Sequence, residues 1–162
     1  MKLKTKIIAR LGVVAGMYAM LTILFMPIAF GPIQVRIAEG LSVLPIFFLE
    51  APWALFVGCI IANMFSAFGV LDVVVGSLTT LVAALLTRLI YKKTKNVYIS
   101  LLPPVILNAI FVPLVFLLTG GSGVYYIEAL LILLTQTLFV YGIGLPLYFG
   151  LNKLKKSNNL LF

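Results

Sequence analysis

Asp72-Val73-Val74-Val75-Gly76-Ser77-Leu78-Thr79-Thr80-Leu81-Val82-Ala83-Ala84-Leu85-Leu86-Thr87-Arg88-Leu89-Ile90-Tyr91, followed at once by Lys92-Lys93-Thr94-Lys95-Asn96, is the stretch on which the fold turns. As a helix, its first about 20 residues reach about 30 Å, the thickness of a bilayer's hydrocarbon core. The basic segment after them is a solvated loop. The rest of the chain shares this character: 63% of its 162 residues are hydrophobic, 10% are charged, and the mean hydropathy is +1.21. So few charges cannot cover a water-soluble globule, and intrinsic disorder needs the opposite composition. The protein is an integral membrane protein.

Working outward from that span, five more apolar stretches appear. The six run from about Ile8 to Met26, Val35 to Leu49, Trp53 to Phe68, Asp72 to Tyr91, Ser100 to Leu118 and Tyr125 to Leu151. Pro27, the Glu50-Ala51-Pro52 break, Gly69, the lysine-rich loop and Gly120-Gly121-Ser122-Gly123 separate them. The second and third are short, roughly 24 Å as α-helices, so they cross only with thinning or with buried ends; a re-entrant pair is the rival arrangement. The expected fold is an all-α integral membrane protein, a compact bundle of six transmembrane helices forming one domain over residues 1–162. No internal repeat is visible. The basic N-terminus before an apolar run has the look of a secretory signal, but the run is long and lacks a small-x-small cleavage site.

Charge sets the orientation. Lys2, Lys4, Lys6 and Arg10 precede the first span; Arg88, Lys92, Lys93 and Lys95 flank the fourth-to-fifth loop; Lys153, Lys155 and Lys156 follow the sixth. With six crossings these eleven of the twelve basic residues share one side, which the positive-inside rule makes cytoplasmic, with both termini there. The net charge of +8 is then a topology marker and no sign of nucleic-acid binding.

The remaining charges carry more information, because ionisable groups in a membrane are costly. Arg36, Glu39, Asp72 and Glu128 gather at the outer level, and only Glu50 lies inside. Asn63, Asn108 and Gln136 place amides in the same half of the bundle. Glu128, Thr135 and Gln136 share one helix face. Phe30, Trp53, Tyr125, Tyr126 and Tyr141 supply aromatics. Individually these residues have plain structural readings: Asp72 and Glu128 as first-turn acids, Arg36 and Glu39 as an i, i+3 pair, tyrosines as an interfacial belt. Together they describe a pocket for a small polar, aromatic solute.

On the first helix, Gly12, Ala15, Gly16 and Ala19 form small-xxx-small steps that allow close helix approach, either to this protein's own helices or to a partner. Histidine is absent and Cys59 is the single cysteine, so His-based nucleophilic catalysis, His-ligated metal sites and intrachain disulfides are excluded. No G-x-x-x-x-G-K-[ST] motif is present. No enzyme, metal or cofactor is expected, and uphill transport would need energy from elsewhere.

The segment Phe30-Gly31-Pro32-Ile33-Gln34-Val35-Arg36-Ile37-Ala38-Glu39-Gly40-Leu41 resembles the QueT family, substrate-binding S components of energy-coupling factor (ECF) transporters for queuosine precursors. The likeness continues through Leu44-Pro45, Leu55 to Asn63, Leu71-Asp72 with Gly76-Ser77-Leu78, and Pro103-Pro104 with Asn108-Ala109, over essentially the whole chain. Gly40 stands where alanine is more often expected. The resemblance implies a six-helix subunit that binds ligand from outside. It would dock through helix one, at Ala15 and Ala19, onto a membrane coupling subunit driven by two ATPases that use the ATP. It also implies a 7-deazaguanine base as ligand, read by Phe30, Gln34, Arg36, Glu39, Asn63, Asp72, Asn108, Glu128 and Gln136. A cationic aminomethyl substituent would pair with one of the acids, Glu39 and Glu128 first and Asp72 in reserve. The alternatives are an S component for another vitamin and a non-transporting membrane assembly subunit.

Overall fold

The structure, a computed structural model, describes residues 2–31, 34–120 and 124–157. The expectations on Pro32, Ile33 and the Gly121-Ser122-Gly123 turn lie outside them. Every regular element among the described residues is helical: α1 Lys2–Leu24, a short α2 Met26–Ala29, a 3₁₀ helix Ile37–Ile46, α3 Ala51–Asn63, α4 Gly69–Thr94, α5 Val97–Leu118 and α6 Tyr125–Ser157. Four of these, α1, α4, α5 and α6, are long and apolar enough to cross a membrane. Their outward faces are apolar, with Ile8, Met20, Val70 and Leu138 each more than 60% exposed. That much bare hydrocarbon is intelligible only as a lipid-facing surface.

The second and third expected spans differ from the α-helices read from sequence. Residues 35–49 contain a ten-residue 3₁₀ helix, and α3 stops at Asn63 rather than Phe68. Each covers only about 20 Å, at about 2 Å per residue for the 3₁₀ helix and 1.5 Å for α3. Ala38 through Pro45 are all buried, so this segment is core rather than wall. A 3₁₀ helix stacks residues three apart into columns, and here each column meets different surroundings. Ala38, Leu41 and Leu44 pack in one cluster with Tyr18, Leu55, Cys59 and Ala84. Val43 and Ile46 join Val97, Leu101, Val105, Val140 and Tyr148. Arg36, Glu39 and Ser42 form the third, polar column.

Glycines permit the closest approaches. A Cβ on Gly40 would stand 2.6 Å from Ile143 Cβ, and one on Gly58 would lie 2.7 Å from the Ala15 carbonyl oxygen. Gly40 is thus the residue that lets the 3₁₀ helix lie against α6. Gly58 does the same for α1 on α3. The small-residue stripe of α1 therefore divides: Ala15 and Ala19 are buried inside the molecule, whereas Gly12 and Gly16 are exposed with open space beside them. Ala15 and Ala19 are not an outward surface in this fold.

At the basic end, Arg10 Nε lies 3.1 Å from Glu50 Oε1, and Arg88 Nη1 donates to the Pro45 carbonyl at 2.9 Å, covering the C-terminus of the 3₁₀ helix. Asn96 caps α5, its side chain accepting from the Tyr98 and Ile99 amides. Lys92 and Lys93 sit in the last turn of α4, where cations suit the helix dipole. The sixth span extends past Leu151 to Ser157, carrying its lysines beyond the apolar stretch.

Candidate functional site

Near its start α4 contains a π-helical turn, Asp72–Gly76. Such a turn widens the helix by one residue and releases a backbone carbonyl, and it recurs at functional sites. The Asp72 carbonyl accepts a hydrogen bond from Asn63 Nδ2 at 2.9 Å. Gly76 makes room for this: a Cβ there would lie 2.6 Å from Asn63 Nδ2 and 3.1 Å from Asp72 Oδ1. The Asp72 carboxylate faces Arg36, whose Nη2 is 3.4 and 3.5 Å from the two oxygens. Both side chains are buried. One nitrogen reaching two oxygens at these lengths is a loose pair, without the parallel fork that makes Arg–carboxylate contacts strong. Arg36 Nε and Nη1 have no partner. The Phe30 ring centroid is 5.7 Å from the guanidinium carbon, and Phe30 also lines a cavity of about 230 Å³ with Met26, Pro27, Phe65 and Ala67.

Gln34 is the most unusual residue of the group. It is buried, neither end of its amide has a partner, and its backbone sits at φ +46°, in the left-handed region. Strain and an unmade buried hydrogen bond at one residue mark a position kept for something other than stability.

Glu39 is fully buried. Tyr18 of α1 donates to its Oε1 at 2.5 Å and Ser42 to its Oε2 at 3.1 Å. Arg36 and Glu39, a possible i, i+3 pair by spacing, are each engaged elsewhere.

Asn108 and Gln136 form one layer. Val112 and Ile132 share an apolar cluster with Ala109 and Phe116. Asn108 lies one turn from Val112 and Gln136 one turn from Ile132, both in the same direction along the antiparallel helices α5 and α6. The next residues on those faces, Val105 and Val140, share the following cluster. The two amides are thus a polar stratum between apolar ones. Both atoms of the Asn108 amide and Gln136 Oε1 are buried and unpartnered.

The 3₁₀ helix fixes the depth of this stratum. It runs parallel to α6, with Gly40 against Ile143 and the Phe47 ring 5.5 Å from that of Tyr148. Arg36 lies about 8 Å back from Gly40, equal to about five residues of α6, which is the level of Leu138, about half a turn from Gln136. Glu128 stays outside the layer. It is half-buried one turn beyond Ile132, and the Ile132, Val112 and Phe116 cluster separates it from Gln136.

Phe30, Arg36, Asp72 and Asn63 thus converge, with Gln34 two residues before Arg36 and Glu39 beside it in the 3₁₀ column, while Asn108 and Gln136 form a second buried polar layer between α5 and α6. Sequence reading missed Tyr18 and Ser42. The signal for Ser42 was present, since Arg36, Glu39 and Ser42 repeat with period three. Tyr18, a buried phenol needing a hydrogen-bond partner, is visible only as a polar group within α1's apolar run. Among the described residues no group of His, Cys, Asp and Glu could hold a metal ion. The arrangement offers guanidinium N–H donors, amide donors and acceptors, an aromatic face and carboxylates in a dry setting. That suits reversible binding of a flat polar solute.

A family model described as QueT transporter matches residues 8–153. A queuosine precursor transporter QueT from Lactococcus lactis subsp. cremoris is 37% identical over 99 residues, covering 60% of this chain and 58% of that protein. The aligned part thus spans less than two thirds of that relative's length. No solved structure matches the chain.

Proposed function

This chain belongs to the QueT transporter family, and from that premise we propose that it is the substrate-binding S component of an ECF-type importer for a queuosine precursor. Membership makes it a membrane transporter protein rather than an enzyme. The substrate named for the lactococcal relative is a queuosine precursor, and a 7-deazaguanine base suits the buried layer.

The observation that carries this reading is the set of buried polar atoms without partners: the Gln34 amide, Arg36 Nε and Nη1, Asn63 Oδ1, the Asn108 amide and Gln136 Oε1. Each costs about 1–3 kcal/mol when left unmade, a cost that a ligand supplying the missing bonds removes. Arg36 donates to the base carbonyl, the amide oxygens of Asn108 and Gln136 accept from ring and exocyclic N–H groups, and Phe30 stacks at the entrance. Asp72 holds Arg36, and Asn63 holds the turn that carries Asp72.

In this reading the chain crosses the membrane six times with both termini in the cytoplasm, the 3₁₀ helix and α3 serving as short crossings buried among the long ones. The Arg10–Glu50 contact, at the end that carries the lysine clusters, supports that orientation. The chain needs no cofactor of its own; ATP is used by two ATPase subunits acting through a membrane coupling subunit. Docking falls to the exposed face of α1 at Gly12 and Gly16, because Ala15 and Ala19 are buried, Ala15 against Gly58 of α3.

Mass spectrometry of small molecules carried through purification, followed by competition with a panel of purines and vitamins without ATP, tests the proposal. A bound 7-deazaguanine supports it; a different vitamin, or no ligand at all, overturns it.

A further inference from the structure

The lysine-rich end of the molecule has a large surplus of positive charge. Eleven basic residues gather there against one acid, Glu50, and Arg10 answers that acid at 3.1 Å. Beside this pair lies a cavity of about 350 Å³, walled by Ala9, Val13 and Val14 of α1, Phe48 after the 3₁₀ helix, Ala54 of α3 and Leu151 of α6. The gap exists because α1 and α6 scarcely touch: α1 packs on α3 and the 3₁₀ helix, and α6 packs on α5 and the 3₁₀ helix. Ala9 and Ala54 are too small to close it. The slot runs about 8 Å along α1, from Ala9 to Val14. The Arg10 guanidinium lies at its edge over the Phe48 ring, 5.0 Å from the centroid.

Two features define what fits. The walls are hydrocarbon at the depth where the apolar part of α1 begins, so a water-borne anion gains nothing from them. The mouth is cationic. Lys6 stands one turn before Arg10 on α1, and Lys155 one turn after Leu151 on α6, both toward the lysine-rich end. At a spacing of four residues each lies on the slot's side of its helix. Arg10 and Glu50 offset each other, so these lysines leave the rim positive. Basic pockets between spanning helices at the membrane boundary take anionic lipid headgroups. We infer that this slot seats one acyl chain of an anionic phospholipid, with its phosphate on Lys6 and Lys155. Neither Gly12 nor Gly16 lines it, and the site stands whether or not the substrate reading does.

The test titrates the full chain in detergent with phosphatidylglycerol and with phosphatidylcholine of identical oleoyl chains, counting bound lipid by native mass spectrometry. Wild type should hold one phosphatidylglycerol about 30-fold more tightly than phosphatidylcholine, the factor that about 2 kcal/mol from two lysines supplies. Lys6→Gln combined with Lys155→Gln should remove most of that ratio and leave the phosphatidylcholine affinity where it was. Ala9→Phe, at an exposed position, should weaken both lipids together, since it fills the slot and keeps the charges. Equal wild-type affinities overturn the inference, as does a preference that survives loss of both lysines. Undiminished lipid binding by Ala9→Phe also overturns it, and if that variant loses uptake with the ATPase module, the slot belongs to a protein partner. Displacement of the lipid by inorganic phosphate would make this a phosphate site in which the chain has no part.

Discussion

The two ends of this molecule each contain an arginine–carboxylate pair, and they are built in opposite ways. At the lysine-rich end, Arg10 and Glu50 approach to 3.1 Å with side chains 34% and 13% exposed, so the pair is partly open to water although Glu50 Oε1 is buried. At the other end, Arg36 and Asp72 are farther apart, dry and incompletely hydrogen-bonded, close in sequence to a strained glutamine without partners, and the Asn108 amide and Gln136 Oε1 are also buried and unpartnered. A fold selected for stability alone would place its loose contacts where water can repair them. Here they lie where it cannot, and the comparison separates the part that holds the bundle from the part that holds a ligand.

Removing one partner from each pair gives the largest contrast. Asp72→Asn strands the Arg36 charge in the core and should cost about 3–5 kcal/mol. Glu50→Gln, at a partly exposed site, should cost less, about 1 kcal/mol. Thermal unfolding of the two variants in one detergent measures the difference, and equal destabilisation would erase the distinction between the ends.

The glycines sharpen the contrast next. Gly40→Ala drives a methyl into Ile143 and should destabilise by about 1–3 kcal/mol, as overpacking does. Gly12→Leu meets open space, so the melting temperature should stay within error while uptake with the ATPase module falls. Unchanged uptake would remove Gly12 from the docking face.

The smallest stability effect should have the opposite sign. Gln34→Gly relieves a left-handed backbone, worth about 1 kcal/mol, and deletes an amide without partners. The variant should therefore be slightly more stable than wild type and bind ligand more weakly. A destabilised variant with full affinity would show that Gln34 serves the fold.

Much of this was legible beforehand because lipid imposes strict rules. A long apolar run with lysines at its end, as at Asp72 to Lys95, can only be a spanning helix with a known side for its charges. Arg36, Glu39 and Asp72 were conspicuous for the same reason. The 3₁₀ segment was not legible as such, because an apolar run of that length reads equally well with either helical period. Its period-three polar column becomes meaningful only when three different surfaces cover its three faces. The division of the α1 stripe was equally hidden, since spacing places Gly12, Ala15, Gly16 and Ala19 along one side but does not say which of them meets Gly58.

The sequence by itself determined that the chain lives in a membrane, how its ends are charged, and which few ionisable and amide side chains stand out from it. These follow from the solvation cost of single residues, which needs no knowledge of neighbours. Pairing was decided by the tertiary structure alone: Arg36 with Asp72 instead of Glu39, Glu39 with Tyr18, Asn108 level with Gln136, and Glu128 behind Ile132. A hydrogen bond or ion pair depends on separations of a few ångströms between residues distant in the chain, and only the packing of the helices sets those.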